Sequence, residues 1–287
     1  MAMVIDMIQW YPGHMAKTKK EVKEAIKKVD IVYLLLDSRA PISSLNPDLE
    51  SIKGNKPTLY LFNKSSLADQ VELDKWLNFY QKEGFQSLKI DAITGKNIRK
   101  IKTMTDDILK PMLEKEQKRG MQKRAIRTMI IGIPNVGKST LINTLSKKKA
   151  TRTGNTPGIT KAQQWVKISD DFELLDTPGV LWPKFEDEKV GYHLALSGAI
   201  KDSILPNEEI ALYAHSFLKT YYKEQLMKRY QLDDIKEPLD TFDEIGRKRG
   251  ALIKGNEVNY DTVYEILLKD LRDGQLGGIT FDRYQSL

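Results

Sequence analysis

The stretch RTMIIGIPNVGKSTLINTLS, residues 127–146, constrains the fold of this chain more than any other. An apolar run ends in Gly132, four loop residues lead to Gly137-Lys138-Ser139, and a helix-forming sequence follows. The spacing fits G-x-x-x-x-G-K-[ST], a phosphate-binding loop. Its glycines let backbone N–H groups wrap an anion, Lys138 neutralises the outer phosphates, and Ser139 is placed to ligate Mg²⁺. Asn135, Val136 and Thr140 complete the expected contacts of the loop. Such a loop works between a buried strand and a helix N-terminus, so it calls for a sheet covered by helices.

Three other runs read the same way: IVYLLLD (Ile31 to Asp37), TLYLFNK (Thr58 to Lys64) and SLKIDA (Ser87 to Ala92). Short, continuously apolar and separated by amphipathic stretches, they predict a mostly parallel sheet buried on both faces. Ligands of such sheets bind beyond the carboxyl ends of the strands, where Asp37, Asn63-Lys64, Asp91-Ala92 and Gly132 onward gather. QQWVKIS and DFELLD flank Asp170-Asp171 as a hairpin. The opening WYPGHMAKTKKEVKEAIKKVD predicts a basic helix over 14–29 with Met15, Val22, Ile26 and Val29 on its apolar stripe. LKPMLEKEQKRGMQKRAIR reads as a charged helix or tether with a break at Gly120. Beyond residue 191 the pattern is helical. The expectation is an α/β P-loop domain over 1–190 and a smaller, all-helical domain over 191–287.

Zero cysteines exclude disulfides and thiolate metal sites, and three histidines argue against a zinc cluster. No apolar run reaches the roughly 18 residues of a membrane span, and Met1 to Trp10 lacks the basic flank of a signal peptide. A cytoplasmic protein with no membrane partner is expected. A net charge of +7 points to a polyanionic partner.

Asn63-Lys64 at a strand end is the pair with which GTP hydrolases frame guanine. Asp176-Thr177-Pro178-Gly179 adds a magnesium-linked aspartate, bound through water, and a glycine N–H that senses the γ-phosphate. In NTPGITK, Thr160 is the expected further Mg²⁺ ligand and Thr156 its rival. Val180 follows Gly179, where many such hydrolases carry a polar group that orients water, and its side chain can neither donate nor accept. The order is also unusual. Asn63-Lys64 precedes the phosphate loop, which implies circular permutation with the old termini joined through residues 109–127.

Taken together, QWYPGHMAK, NK, KRAIR, GIPNVGKSTLIN, PGIT, LLDTPGVLWPKFED and GAIKDSI resemble the ribosome biogenesis GTPase A family of circularly permuted bacterial GTPases. The resemblance implies GTP hydrolysis stimulated by ribosomal particles, late in large (50S) subunit assembly. It implies binding to precursor particles and rRNA with GTP, release on hydrolysis, and a helical C-terminal domain on the rRNA. It also implies no water-orienting glutamine, K⁺ beside Asn135, and a catalytic role for His14. Without partners a monomer is the default.

Two positions depart from the pattern. The guanine motif reads Asn63-Lys64-Ser65-Ser66, so Ser66 stands where a carboxylate is usual. Asp91-Ala92 replaces the commoner Ser-Ala pair, although the N–H of Ala92 can still reach the guanine oxygen. Asp69 is expected to sit too far around its helix to substitute. These departures keep open an RNA-binding scaffold with relaxed nucleotide choice. A P-loop enzyme modifying tRNA or a metabolite would need a further catalytic pocket, and no residues suggest one.

Lys17, Lys19, Lys20, Lys23, Lys27 and Lys28 crowd the first helix, and Arg247-Lys248-Arg249 follows FDEIG. Either is a solvated face or a set of phosphate contacts to RNA; the second cluster is the RNA-binding candidate. Tyr221, Tyr222 and Tyr230 are expected in the helical core, Trp182 and Phe185 against the helical domain, and His193 and His215 in structural roles.

Overall fold

A computed structural model describes residues 13–146, 164–181, 185, 187–200 and 206–284, with side chains from Thr18 onward. Six strands form one sheet in the order β3-β2-β1-β4-β6-β5. They are β1 (Ile31–Asp37), β2 (Thr58–Asn63), β3 (Ser87–Lys89), β4 (Ile126–Gly132), β5 (Gln164–Ser169) and β6 (Phe172–Asp176). All neighbours are parallel except β5, which returns antiparallel along the edge of β6. Leu35 is level with Gly132 and Asp37 with Asn63, so the phosphate loop and the Asn-Lys pair leave the sheet at one edge.

Strand β1 is buried throughout, and its alternating side chains serve two cores. Ile31, Tyr33 and Leu35 meet Ile101 and Leu109 of α4 (Ile98–Lys118) and Leu141 of α5 (Lys138–Ser146). Val32, Leu34 and Leu36 meet Val22 of α1 (Gly13–Ile26), Leu49 of α2 (Pro47–Lys53) and Leu73 and Trp76 of α3 (Gln70–Lys82). A three-residue 3-10 turn, Ser65–Leu67, separates β2 from α3. Asp69 caps α3 by accepting from Val71 N and Glu72 N, and that role uses its carboxylate away from Ser66.

Helix α4 runs through Pro111 and ends before Gly120, whose φ of 75° reverses the chain. Arg124 then bonds Asp30 at 2.7 and 2.8 Å and Glu116 at 3.0 Å. These contacts pin the permuted connection beside the start of β1. Strand β3 is shorter than the run to Ala92 suggested, because Asp91 accepts the N–H groups of Ile93 and Thr94 and turns the chain.

Helix α6 (Glu188–Leu196) crosses the expected 190/191 boundary and belongs to both units: Leu194 packs into the sheet core, Ala195 and Leu196 into the helical one. The helical unit contains α7 (Asn207–Tyr221), α8 (Lys223–Tyr230), α9 (Pro238–Arg249) and α10 (Tyr260–Arg272). It is not all-helical: β7 (Leu252–Ile253) and β8 (Glu257–Val258) pair as a hairpin whose tip carries Gly255 and Asn256 at positive φ.

Tyr222 and Tyr230 are buried in the helical core as expected. Tyr221 is not: it is 44% exposed and lies beneath the Arg283 guanidinium. Phe185 packs against the sheet core rather than the helical one; Trp182 lies outside the described residues. His193 bonds Asp282 at 2.7 Å and Tyr213 at 2.8 Å, and His215 bonds Thr241. The chain end also returns to the sheet unit, with Ile279 N donating to Leu67 O and Phe281 N to Arg39 O.

Candidate nucleotide-binding site

Asn63 joins the loops that its neighbours in sequence only suggest. Its Nδ2 donates to Val136 O at 2.8 Å, and its Oδ1 accepts from Ala92 N at 2.9 Å. An amide can do both at once, from two separate atoms. Thr144 of α5 closes the third side by donating to Ala92 O at 2.8 Å. Gly137, at φ 102°, lies so close to the Asn63 amide that a Cβ would overlap it. Only glycine meets both demands.

Lys138 is buried and donates to the carbonyls of Gly132 at 3.1 Å and Ile133 at 2.7 Å. Burial pushes its ammonium down to about 8, with Asp176 opposing the shift. Burial likewise pushes the Asp176 carboxyl up to about 6, and Lys138 limits the rise. Asp176 Oδ1 is buried without a hydrogen-bond partner. A buried oxygen of that kind suits a cation's water shell. Among the described residues no cluster of three or more Asp, Glu or His could hold a metal alone. One carboxylate with one hydroxyl fits Mg²⁺, which takes the rest of its ligands from water and phosphate. Ser139 and Thr140 occupy the first turn of α5, half-buried.

Gly179 lies against the phosphate loop: a Cβ there would come within 2.7 Å of the Pro134 backbone. Thr177 is anchored to Ile130 O at 2.6 Å, and Val180 N donates to Gly132 O at 3.2 Å. Val180 itself is buried in the core with α1–α3, and its carbonyl accepts from Asn46 at 2.8 Å. Packing thus explains a valine where a water-orienting group would stand. Asn135 takes a left-handed backbone and donates from its amide to Gly198 O at 2.8 Å, just beyond α6.

On the guanine side, Lys64 is left-handed and donates to Asp37 at 2.9 Å. Ser65 is buried, with its hydroxyl unpaired. Ser66 donates from N and Oγ to Asp91 Oδ2. Burial raises the Asp91 carboxyl, but hydrogen bonds from Ser66, Thr94 and Ile93 outweigh it and hold the group below its ordinary value. His14 lies in the first turn of α1, and its side chain is outside the described residues, as are Thr156 and Thr160. Arg247, Lys248 and Arg249 form the exposed last turn of α9. Sequence reading missed Arg39 and Asn46, both buried at the loop edge; the available signals were a charged residue just beyond a buried strand end for Arg39 and an Asn-Pro helix start for Asn46.

A phosphate loop, a magnesium-type aspartate and an Asn-Lys pair at one edge of a mostly parallel, permuted sheet define a P-loop GTPase. Residues 127–235 match the family described as "50S ribosome-binding GTPase". The chain is 48% identical to ribosome biogenesis GTPase A of Bacillus licheniformis over 282 residues, covering 98% of this chain and 100% of that one. It is 50% identical to that of Bacillus pumilus over 280 residues, covering 97% and 99%. GNP-bound YlqF from T. maritima shares the fold, with a TM-score of 0.66 at 24% identity over 93% of this chain and 98% of that one. The chain belongs to the ribosome biogenesis GTPase A family.

Proposed function

We propose that this chain is a GTP hydrolase and late assembly factor of the large (50S) ribosomal subunit. It binds precursor particles and their rRNA in the GTP form and leaves on hydrolysis. The nucleotide half of this reading is carried by the Asn63 junction, which makes one rigid unit of the phosphate loop and the Ala92 loop. The ribosomal half is supported by relatives named ribosome biogenesis GTPase A that share nearly the whole chain. A net charge of +7 suits a polyanionic particle. Residues 1–190 are assigned to the GTPase unit and 191–287 to the RNA-binding unit of a cytoplasmic monomer, with α6 shared across that boundary.

Loop N–H groups, Lys138 and the Gly179 N–H hold the phosphates. Ser139, Asp176 (through water) and Thr160 are the residues that would hold Mg²⁺, whose chemistry there is neutralisation of phosphate charge. Asn135 would hold K⁺ through the carbonyl end of its amide, adding positive charge beside the phosphates. Asn63, Lys64, Ser65, Ser66, Asp91 and Ala92 frame the base. His14 orients the attacking water, since Val180 cannot.

The test is GTP hydrolysis with and without purified large subunits, in K⁺ and in Na⁺. Slow turnover alone, accelerated by subunits and by K⁺, is expected. Hydrolysis indifferent to subunits would remove the assembly role. Ser66 favours one other reading, an RNA-binding scaffold with relaxed nucleotide choice; equal affinity for GTP and ATP without hydrolysis would establish it.

A further inference from the structure

Guanine presents two adjacent N–H donors on one edge, and a site that selects it must place acceptors there and nothing that donates. Two residues beyond Lys64 this chain offers a hydroxyl, Ser66, and the carboxylate lies on the neighbouring loop, at Asp91. The fold brings the two into contact. Ser66 Oγ donates to Asp91 Oδ2, and Ser66 N reaches the same oxygen at 3.3 Å. Asp91 Oδ1 accepts from Ile93 N at 3.0 Å and Thr94 N at 2.9 Å.

A carboxylate has about four acceptor directions, and these bonds occupy them. Asp91 is also buried, whereas Ser66 is exposed. The carboxylate therefore stands behind and the hydroxyl in front. With its single proton committed to Asp91, Ser66 Oγ presents only lone pairs outward. A hydroxyl that donates to an anion is also a better acceptor.

We infer that Ser66 and Asp91 are an exchanged pair: Ser66 reads the N–H edge of guanine, and Asp91 is the positioning residue that turns and polarises its hydroxyl. The inference rests on the guanine-nucleotide reading above. It carries a consequence that a lone serine would not. Ser66→Asp does not rebuild a carboxylate reader, because it sets two carboxylates against each other. Ser66→Asp combined with Asp91→Ser moves the carboxylate to the front. Asp91→Asn places an NH₂ behind Ser66, so the hydroxyl turns its proton outward and suits xanthine, which carries a carbonyl where guanine has its amino group.

The experiment is calorimetric titration of GDP, XDP and ADP into the full chain and these variants, with Ser66→Ala added. Ser66→Ala and Ser66→Asp should each lose about tenfold in GDP affinity, the scale of one polarised hydrogen bond. ADP affinity should stay as in wild type, and the double exchange should recover GDP binding. Asp91→Asn should lower the GDP-to-XDP preference by about tenfold or more. GDP binding unchanged in Ser66→Ala and Asp91→Asn would overturn the inference. So would ADP affinity falling in parallel, or Ser66→Asp alone binding GDP better than the double exchange. A wild type that binds GDP no better than ADP would instead overturn the guanine reading itself.

Discussion

Arg39 grips Asp37 through two parallel hydrogen bonds, Nε to Oδ1 at 2.9 Å and Nη2 to Oδ2 at 2.9 Å, with both side chains buried. Lys64 donates to the same carboxylate, and Arg39 Nη2 also donates to Ser197 O at 2.9 Å, at the end of α6. The end of β1, the guanine-side lysine and the helical unit thus share one buried charge cluster. Burial alone would raise the Asp37 carboxyl, but Arg39 and Lys64 outweigh it and hold the group far below the ordinary carboxylate range.

Arg39→Met should therefore destabilise the chain strongly. Removing one partner of a buried ion pair costs about 3–5 kcal/mol, because the other charge stays buried. A depressed carboxyl contributes stability that is present above its unfolded value and lost as pH falls toward the folded one. Wild type should weaken below about pH 4, and the variant less steeply, since much of the Asp37 stabilisation is already gone. Urea denaturation at several pH values measures both. A midpoint unchanged by the substitution would remove the cluster from the stability account.

Lys138 and Asp176 should give nucleotide binding two pH limits. The lysine, at about 8 before nucleotide binds, must be charged to hold phosphate. Binding raises its proton affinity, so GDP affinity falls as pH rises through that value, with proton uptake on binding. Asp176, at about 6, must be ionised to serve Mg²⁺, so Mg²⁺-dependent affinity falls as pH drops through that value. Titrations in buffers of different ionisation enthalpy read the protons directly. Lys138→Arg should flatten the alkaline limb and Asp176→Asn the acid one.

His14→Ala should slow subunit-stimulated hydrolysis by about 10²–10⁴-fold, the range of positioned acid–base catalysis. GTP affinity should barely move, because a group that orients water acts mainly in the transition state. Single-turnover hydrolysis beside a nucleotide titration separates the effects. Hydrolysis at the wild-type rate, or failure through lost GTP binding, would sink the assignment.

Neutralising Arg247, Lys248 and Arg249 to glutamine should weaken particle binding and lower its log–log salt slope by up to about 3. Within the chain these residues make exposed pairs, Lys248 with Glu244 at 3.0 Å and Arg247 with Asp243 at 3.9 Å, and Arg249 lies 5.2 Å over the Tyr230 ring. Exposed pairs are worth little, so the fold should survive with about 1 kcal/mol lost or less. An unchanged affinity and slope would clear the cluster of any RNA role.

Residues 127–146 determined by themselves that the chain contains a strand, a phosphate loop and a helix in that order. The burial of β1 on both faces and the permuted order of motifs were equally legible, because they depend on residue type and order along the chain. Contacts between residues far apart in sequence were not. Asn63 meets Val136, Arg39 meets Ser197, and Ser66 meets Asp91 only because parallel strand register brings their loops to one edge. The hairpin of Leu252 to Val258 escaped a helical reading because its strands are two residues each, too short to show a period. Sequence alone made Ser66 look like a missing carboxylate. The tertiary structure places a carboxylate, Asp91, in hydrogen-bond contact with that serine, because a hydrogen bond depends on where chains meet and not on where residues fall along them.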